Sequence, residues 1–399
     1  MNKNHKKIET KGIVVGAGLG GLMLALLGWQ KHIPLTVLER SRYDENSGGR
    51  TLWLYPNALR ILDQAGLLSD VIRHGFPVRE IRYYDIDLKR SFTVRLSDFP
   101  EHSTYPVTGI LRSDLHRILR QACPEDSIIC DWQLRRVSAR KGKVLAESAD
   151  GRIREGAWLI GADGIHSAVR QSLDPNWNAC FVGQICWQGT TQIELDPSWH
   201  GVTSEIMGRG RRFVFTEIRP GTVTWLALIR QETPAQGQGK WPLERLQHIY
   251  RLSGGPVQDI LEHASEDSLH LISLRELSEA RPWYHQNIAL MGDAAHALTP
   301  ETGQGAAQAF QDAWLLSELL SQSDSPPEEL FRQYYTLRAP QIRFLQRQSR
   351  FIRGVSGAEN RLLTKLRDTL LPLLPEHLML RKMKQVYGSE QNITGGHHV

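Results

Sequence analysis

The sequence predicts an α/β fold: a parallel sheet interleaved with helices, a second β-sheet inserted into it, and a helical C-terminus. Three observations predict it. A glycine-rich strand–turn–helix opens the chain at Ile13-Val14-Val15-Gly16-Ala17-Gly18-Leu19-Gly20-Gly21. Two further buried-strand patterns, Trp158-Leu159-Ile160 and Ile288-Ala289-Leu290-Met291, each run into a Gly and an Asp. Between residues 180 and 232, apolar segments of strand length alternate with turns.

The opening segment reads as a dinucleotide site. Gly16 permits a sharp turn, Gly18 leaves room for a pyrophosphate to approach the backbone, and Gly21 lets the helix pack close to the strand. The helix carries Leu22, Leu24, Ala25 and Leu27, and its N-terminal amides and dipole face the phosphates. A second strand, Leu35-Thr36-Val37-Leu38, ends at Glu39 and Arg40. An acid at that point accepts hydrogen bonds from the adenosine ribose and repels a ribose 2′-phosphate, so the half-site suits FAD or NAD over NADP.

The third segment, Gly292-Asp293 followed by Pro300-Glu301-Thr302-Gly303-Gln304-Gly305, points to FAD. Asp293 at a strand end can accept two hydroxyl hydrogen bonds. Pro300 ends the loop, and Gly303 and Gly305 expose amides as a helix over 306–320 begins. A helix N-terminus there stabilises negative charge on the flavin N1–C2=O2 edge. His296 reads as a structural hydrogen-bonding group, and Glu301 as a surface residue, with a role as substrate base as the alternative. The middle segment, Gly161-Ala162-Asp163-Gly164, forms a turn before Ser167-Ala168-Val169-Arg170.

At 399 residues, 41% hydrophobic and 23% charged, the chain has room for a large core and an ordinary soluble composition. Residues 1–11 read as a loose polar tail. The uncharged stretch from Gly12 to Trp29 is long enough to suggest a membrane span, but its glycines fall at the dinucleotide positions. Cys123, Cys130, Cys180 and Cys186 have no metal spacing and suit free thiols in the cytoplasm. The net charge of +5 comes with no nucleic-acid motif.

With these motifs in this order, the chain resembles the flavoprotein aromatic hydroxylases typified by para-hydroxybenzoate hydroxylase. The resemblance runs from about residue 12 to 355 and implies a Rossmann-like FAD-binding domain with an inserted β-sheet substrate domain and C-terminal helices. The expected FAD domain comprises 12–75, 105–175 and 275–335, the substrate domain 76–104 and 176–274, and the helical segment 336–388. The resemblance further implies that Asp293 binds the ribityl hydroxyls, that Asp163 and Gly164 support the pyrophosphate side and the passage of the nicotinamide, and that Arg112 contacts FAD. Arg112 sits near the start of a helix whose Leu115, Ile118 and Leu119 share one face. The implied activity is monooxygenation with non-covalent FAD. NADH or NADPH serves as transient reductant and O₂ is activated at flavin C4a. The cofactor carries the chemistry, and no single side chain need be the catalyst.

Within the class, Cys186-Trp187, Gly208 to Phe213, Thr299 to Gly305 and Arg343 to Ser349 look most like the 2-heptyl-4-quinolone monooxygenases and the aurachin, urate and zeaxanthin-epoxidising branches. The urate branch pairs an arginine with a tyrosine on the next strand. Arg212 matches the arginine, while Thr224 stands near the tyrosine position, which counts against urate. Trp187, Phe213, Phe215 and Trp225 are candidates for lining an apolar planar pocket, with sheet core as the alternative. Arg212 is a candidate for orienting a carbonyl or anion, with a solvated arginine as the alternative.

The expected substrate is a small apolar aromatic, quinolone- or quinone-like, that is hydroxylated or epoxidised. The expected assembly is a monomer or homodimer. A flavin-dependent reductase on the same scaffold and a non-catalytic flavin-binding protein stay open. Between Arg338 and Tyr387 the pattern is helical and rich in basic residues, with Leu362, Leu363, Leu366, Leu370, Leu371, Leu373 and Leu374 forming an apolar face. Packing into the core is the expectation for that face. A pocket cover and a peripheral contact with an anionic inner membrane are the alternatives.

Overall fold

The motif strands are short and apolar on both sides, as strands of a parallel sheet covered on two faces must be. In the computed structural model they are Gly12–Val15, Trp158–Gly161 and Ile288–Leu290, lying side by side. The structure describes residues 12–42, 51–89, 91–99, 102–140, 142–235, 243–277, 281–322 and 325–388. The six-stranded sheet runs Tyr284–His285, Ile288–Leu290, Trp158–Gly161, Gly12–Val15, Leu35–Leu38, Ile128–Ile129. All its pairings are parallel except the first, a small hairpin.

Helix Leu19–Gln30 is apolar almost all round and buried, so it is a core helix. It packs against Gly305–Gln322 at very short range: a Cβ added at Gly20 would lie 3.0 Å from the Ala309 Cβ. Among the described residues no helix is long and apolar enough to cross a membrane. The uncharged opening stretch is thus divided between a strand, a turn and this helix.

The second sheet has seven strands in the order His270–Leu277, Ala179–Gln192, Thr222–Arg230, Arg211–Arg219, Val202–Met207, Glu80–Asp85, Ser91–Arg95. It is antiparallel apart from the pairing of Val202–Met207 with Glu80–Asp85. Its two faces differ because side chains alternate along each strand. Trp187, Phe213, Phe215, Trp225 and Ala227 point to one face and pack under Leu246 and Tyr250 of helix Leu243–Tyr250 and under Val257, Ile260 and Leu261 of helix Val257–Glu262. Cys186, Val214, Leu228 and Leu274 form the other face, against which Trp53 rests. Trp53 also donates from Nε1 to Thr203 Oγ1 at 2.9 Å, tying that face to the first sheet's domain.

Helix Pro327–Ser356 runs through residue 336 and contains Pro340. Helix Glu376–Tyr387 returns to the second sheet. Its Met383 packs with Tyr55, Val78, Ile81, Phe92 and Val94, and Tyr387 stacks on Tyr55 with ring centroids 3.9 Å apart. Between them, helix Arg361–Leu370 is docked by its polar side. Arg367 is buried and donates to the carbonyls of Met207, Gly208 and Ser356, while Leu362, Leu363, Leu366, Leu370, Leu373 and Leu374 are exposed. Core packing of that leucine face is therefore corrected. Arg367 hydrogen-bonds inward, Thr364 is buried beside it, Asn360 caps the helix, and the leucines are left outside.

Candidate active site

Sheet register brings the three motifs to one edge. Val15 pairs with Gly161 and Leu38, and Gly161 pairs with Leu290, so the chain leaves all four strands at one level. Gly16, Glu39, Ala162-Asp163 and Gly292-Asp293 follow at that carboxyl edge, where open α/β sheets place their ligands. Gly16 has φ +104°, and a Cβ there would lie 2.6 Å from the Ala162 carbonyl oxygen. A Cβ at Gly21 would lie 2.0 Å from the Gly16 oxygen. Nothing lies within 4 Å of a Cβ at Gly18. The turn is thus locked behind and open in front, with the first amides of helix Leu19–Gln30 beside the opening.

Glu39 braces this turn, accepting from the Ala17 N–H at 2.6 Å and the Ser41 N–H at 2.9 Å. Arg40 next to it is exposed. His116, which the sequence reading passed over, places Nε2 2.7 Å from the Ala17 carbonyl. Burial holds its ring below the usual histidine range. The only sequence signal for it was its place one turn after Arg112 on helix Arg112–Ala122. Asp163 caps the short helix Ala168–Leu173, accepting from Ala168 N at 2.7 Å and Val169 N at 3.1 Å, while its Oδ1 is buried without a hydrogen-bond partner. Burial raises its carboxyl above the ordinary range despite those bonds.

The second and third motifs are joined by Arg170, 1% exposed, which donates to the carbonyls of Ile165, Trp177 and Ala294. The third is held from behind by a buried charge network. Asp312 Oδ2 accepts from the Gly292 N–H at 2.8 Å and lies 2.7 Å from His296 Nε2; its Oδ1 accepts from Arg338 Nε at 2.8 Å. Arg338 also donates to Gln308, Gln311 and Gln341. Burial alone would raise the Asp312 carboxyl; His296 and Arg338 overcome it and lower it to about 2. His296 is the structural hydrogen-bonding group that was expected. Arg338 is no part of an exposed basic tail, being 2% exposed.

Asp293 itself is open to solvent, yet surrounding protein pushes its carboxyl above the usual range, opposed by His296 and Arg112. A carboxylate at the floor of a walled depression has both properties, and Arg112 is thereby brought to the same place. Pro300 opens the turn Pro300–Thr302, Gly303 has φ +62°, and Gly303 and Gly305 are exposed at the start of helix Gly305–Gln322.

The substrate half is rearranged relative to the sequence reading. Trp187, Phe213, Phe215 and Trp225 are core under the outer helices, so the pocket assigned to them is corrected. Arg212 precedes Phe213 by one residue and so faces the other way, towards the first domain. It is not solvated but 7% exposed, and its Nη1 is paired with Glu205 at 3.1 Å. Glu301, expected on the surface, turns inward. Both its carboxylate oxygens are buried, and it acts electrostatically on Arg212 and Cys186. Tyr83, Glu205 and Tyr387 complete this polar cluster.

Known proteins are similar to this chain in sequence and fold. The chain is 28% identical over 366 residues to 2-heptyl-3-hydroxy-4(1H)-quinolone synthase of Pseudomonas aeruginosa strain UCBPP-PA14, covering 91% of this chain and 94% of the relative. It is 29% identical to the 3-amino-4-hydroxybenzoate 2-monooxygenase PtnB3 of Streptomyces platensis, over 84% of this chain and 86% of that one. Its fold matches Klebsiella pneumoniae HpxO complexed with FAD and uric acid with a TM-score of 0.87 and 22% identity, covering 95% of this chain and 97% of the other. The family model described as FAD binding domain matches residues 9–349. Most of the chain, including all three glycine–acid segments at the sheet's carboxyl edge, therefore lies within that match, and the chain belongs to this FAD-binding family as an FAD-dependent monooxygenase.

Proposed function

We propose that this enzyme hydroxylates a small, apolar, planar heteroaromatic substrate of quinolone type, with NADH or NADPH as reductant. The observation that carries the reading is the inward sheet face. An apolar wall of Val214, Leu228 and Leu274 there adjoins the Arg212–Glu205 pair and Glu301, on the side where Gly303 and Gly305 begin their helix. Such a wall suits a flat ring with one polar edge. The quinolone relative's name supports the choice of ring.

FAD, when bound without a covalent link, supplies reducing equivalents and activated oxygen. Gly16 and Gly18 leave the amides of helix Leu19–Gln30 free for its pyrophosphate, and Glu39 accepts from the adenosine ribose. Asp293 and Arg112 hold the ribityl chain, Asp163 and Gly164 flank the pyrophosphate side, and the Gly303–Gly305 amides stabilise the reduced ring's charge. The sheet wall excludes water.

A panel of quinolones, quinones and phenols tests the reading. Substrate-stimulated NAD(P)H oxidation with oxygen appearing in the product is expected. NAD(P)H oxidation without an oxygenated product would instead favour a reductase.

We infer also that an anionic membrane surface receives the exposed leucines. Leu362 and Leu373 are 77% and 71% exposed, and Arg361, Lys365, Arg381 and Lys382 are exposed around them. Apolar burial flanked by cations is the pattern of interfacial helices.

A further inference from the structure

Glu301 stands between Pro300 and Gly303, whose φ is +62°, where a surface carboxylate is the ordinary outcome. Its side chain instead faces the inner wall of the seven-stranded sheet. Neither Oε1 nor Oε2 accepts a hydrogen bond, and both are fully buried. The nearby guanidinium, Arg212, is already paired with Glu205 at 3.1 Å. A second cation near the turn, Arg353, is engaged by Glu276 at 3.2 Å and by Thr299 Oγ1 at 3.1 Å. Among the described residues, the cluster's titratable neighbours Cys186, Tyr83, Tyr55 and Tyr387 are held protonated by burial. Two carboxylates thus face one guanidinium, and the cluster carries an excess negative charge with unfilled acceptor positions.

A buried carboxylate without a donor opposes folding, so it persists where something else supplies the donor. We propose that Glu301 recognises the substrate by accepting a hydrogen bond from an N–H or O–H on its aromatic ring. The proposal rests on the monooxygenase reading above and deepens it. A donor hydrogen-bonded to a carboxylate releases electron density into the ring, which favours attack by an electrophilic oxygen. The same charge selects against aromatic acids: Arg212 is occupied by Glu205, and Glu301 repels a substrate carboxylate. Neutral rings bearing a donor are the chemical class that fits.

The test uses the full-length, FAD-loaded protein and perturbation of the flavin absorbance as the binding signal. Two ligand pairs are titrated: 2-heptyl-4(1H)-quinolone against its N-methyl derivative, and 2-naphthol against its methyl ether. The wild type should prefer the donor-bearing member of at least one pair by roughly ten- to hundred-fold, the range of a charge-assisted hydrogen bond. Glu301→Leu should abolish the preference, and Glu301→Gln should retain part of it, because the amide oxygen still accepts. Without ligand, Glu301→Leu should keep its FAD and melt no lower than the wild type, because an unpaired buried charge has been removed.

Unchanged preference in Glu301→Leu would overturn the proposal, as would a lower melting temperature without ligand, which would make Glu301 a structural residue. If only the naphthol pair shows a Glu301-dependent preference, the quinolone assignment fails and the proposal stands. If neither donor-bearing ligand perturbs the flavin, the proposal falls, while the monooxygenase reading is judged separately by substrate-stimulated NAD(P)H oxidation.

Discussion

Replacing Arg338 by Leu probes what holds the Gly292–Asp293 loop. Arg338 donates to Asp312, Gln308, Gln311 and Gln341, and both it and Asp312 are almost wholly shielded from water. Without it, Asp312 keeps the Gly292 amide, His296 and the Tyr334 hydroxyl. Breaking a buried pair by removing one partner costs about 3–5 kcal/mol, because the surviving charge is left uncompensated. With an unfolding entropy of roughly 2.1 cal/mol/K per residue, a chain of 399 residues should lose about 4–6 °C in Tm.

The pH dependence has a definite sign. The Asp312 carboxyl lies at about 2 in the folded protein, below its unfolded value, so its stabilisation is present above the unfolded carboxylate range and is lost as pH falls towards 2. The Tm gap between wild type and variant should therefore be largest near neutral pH and narrow as pH falls through the acidic range, because the variant's uncompensated Asp312 takes up a proton before the wild type's does. Differential scanning fluorimetry, following both tryptophan and released flavin, measures it. An Arg338→Leu protein with wild-type Tm and flavin retention would refute the idea that this network supports the cofactor loop.

Three further outcomes are expected. Asp293→Ala should bind FAD roughly ten- to hundred-fold more weakly in fluorescence titrations of the apoprotein, as lost charge-assisted hydrogen bonds predict; an unaltered Kd would take Asp293 out of the site. Gly21→Ala should lower Tm despite alanine's better helix propensity, since its Cβ would meet the Gly16 oxygen at 2.0 Å, and a stabilised variant would contradict the close packing. Leu363→Gln with Leu366→Gln should leave Tm and FAD content within error, because both leucines are exposed. The same pair should reduce co-sedimentation with anionic vesicles in low salt, and equal sedimentation would count against membrane contact.

Local signals carried much of this molecule. Gly16, Gly18 and Gly21 are read from the chain because a tight turn and a helix start are made by neighbours in sequence. The short apolar strands are read because burial on both faces leaves a continuous apolar run. FAD follows from three such segments occurring together, and the monooxygenase class from the family they resemble in that order. Asp293 and Arg112 were singled out separately, yet only the fold brings them within electrostatic reach of one another.

The polar interior was not legible in this way. Asp312 and Arg338 lie on different helices, and nothing near either residue announces that the other neutralises it. Arg338 therefore reads as one more basic residue of a tail. The facing of Arg212 and Phe213 could have been limited by strand alternation, which requires them to point oppositely. Which of them points inward to the first domain is set by the outer helices, Leu243–Tyr250 and Val257–Glu262, which cover the aromatic face. Glu301 and the leucines of Arg361–Leu370 were each assigned to the wrong side of the protein surface. Composition favours a glutamate outside and leucines inside. By itself the sequence determined the sheet and the cofactor turn, because these rest on contacts between near neighbours and on apolar periodicity, while the chemistry class came from the family resemblance those segments carry. Only the tertiary structure decided which charges are buried, which carboxylate is turned inward and which apolar face is left to solvent, because those depend on partners supplied from distant parts of the chain.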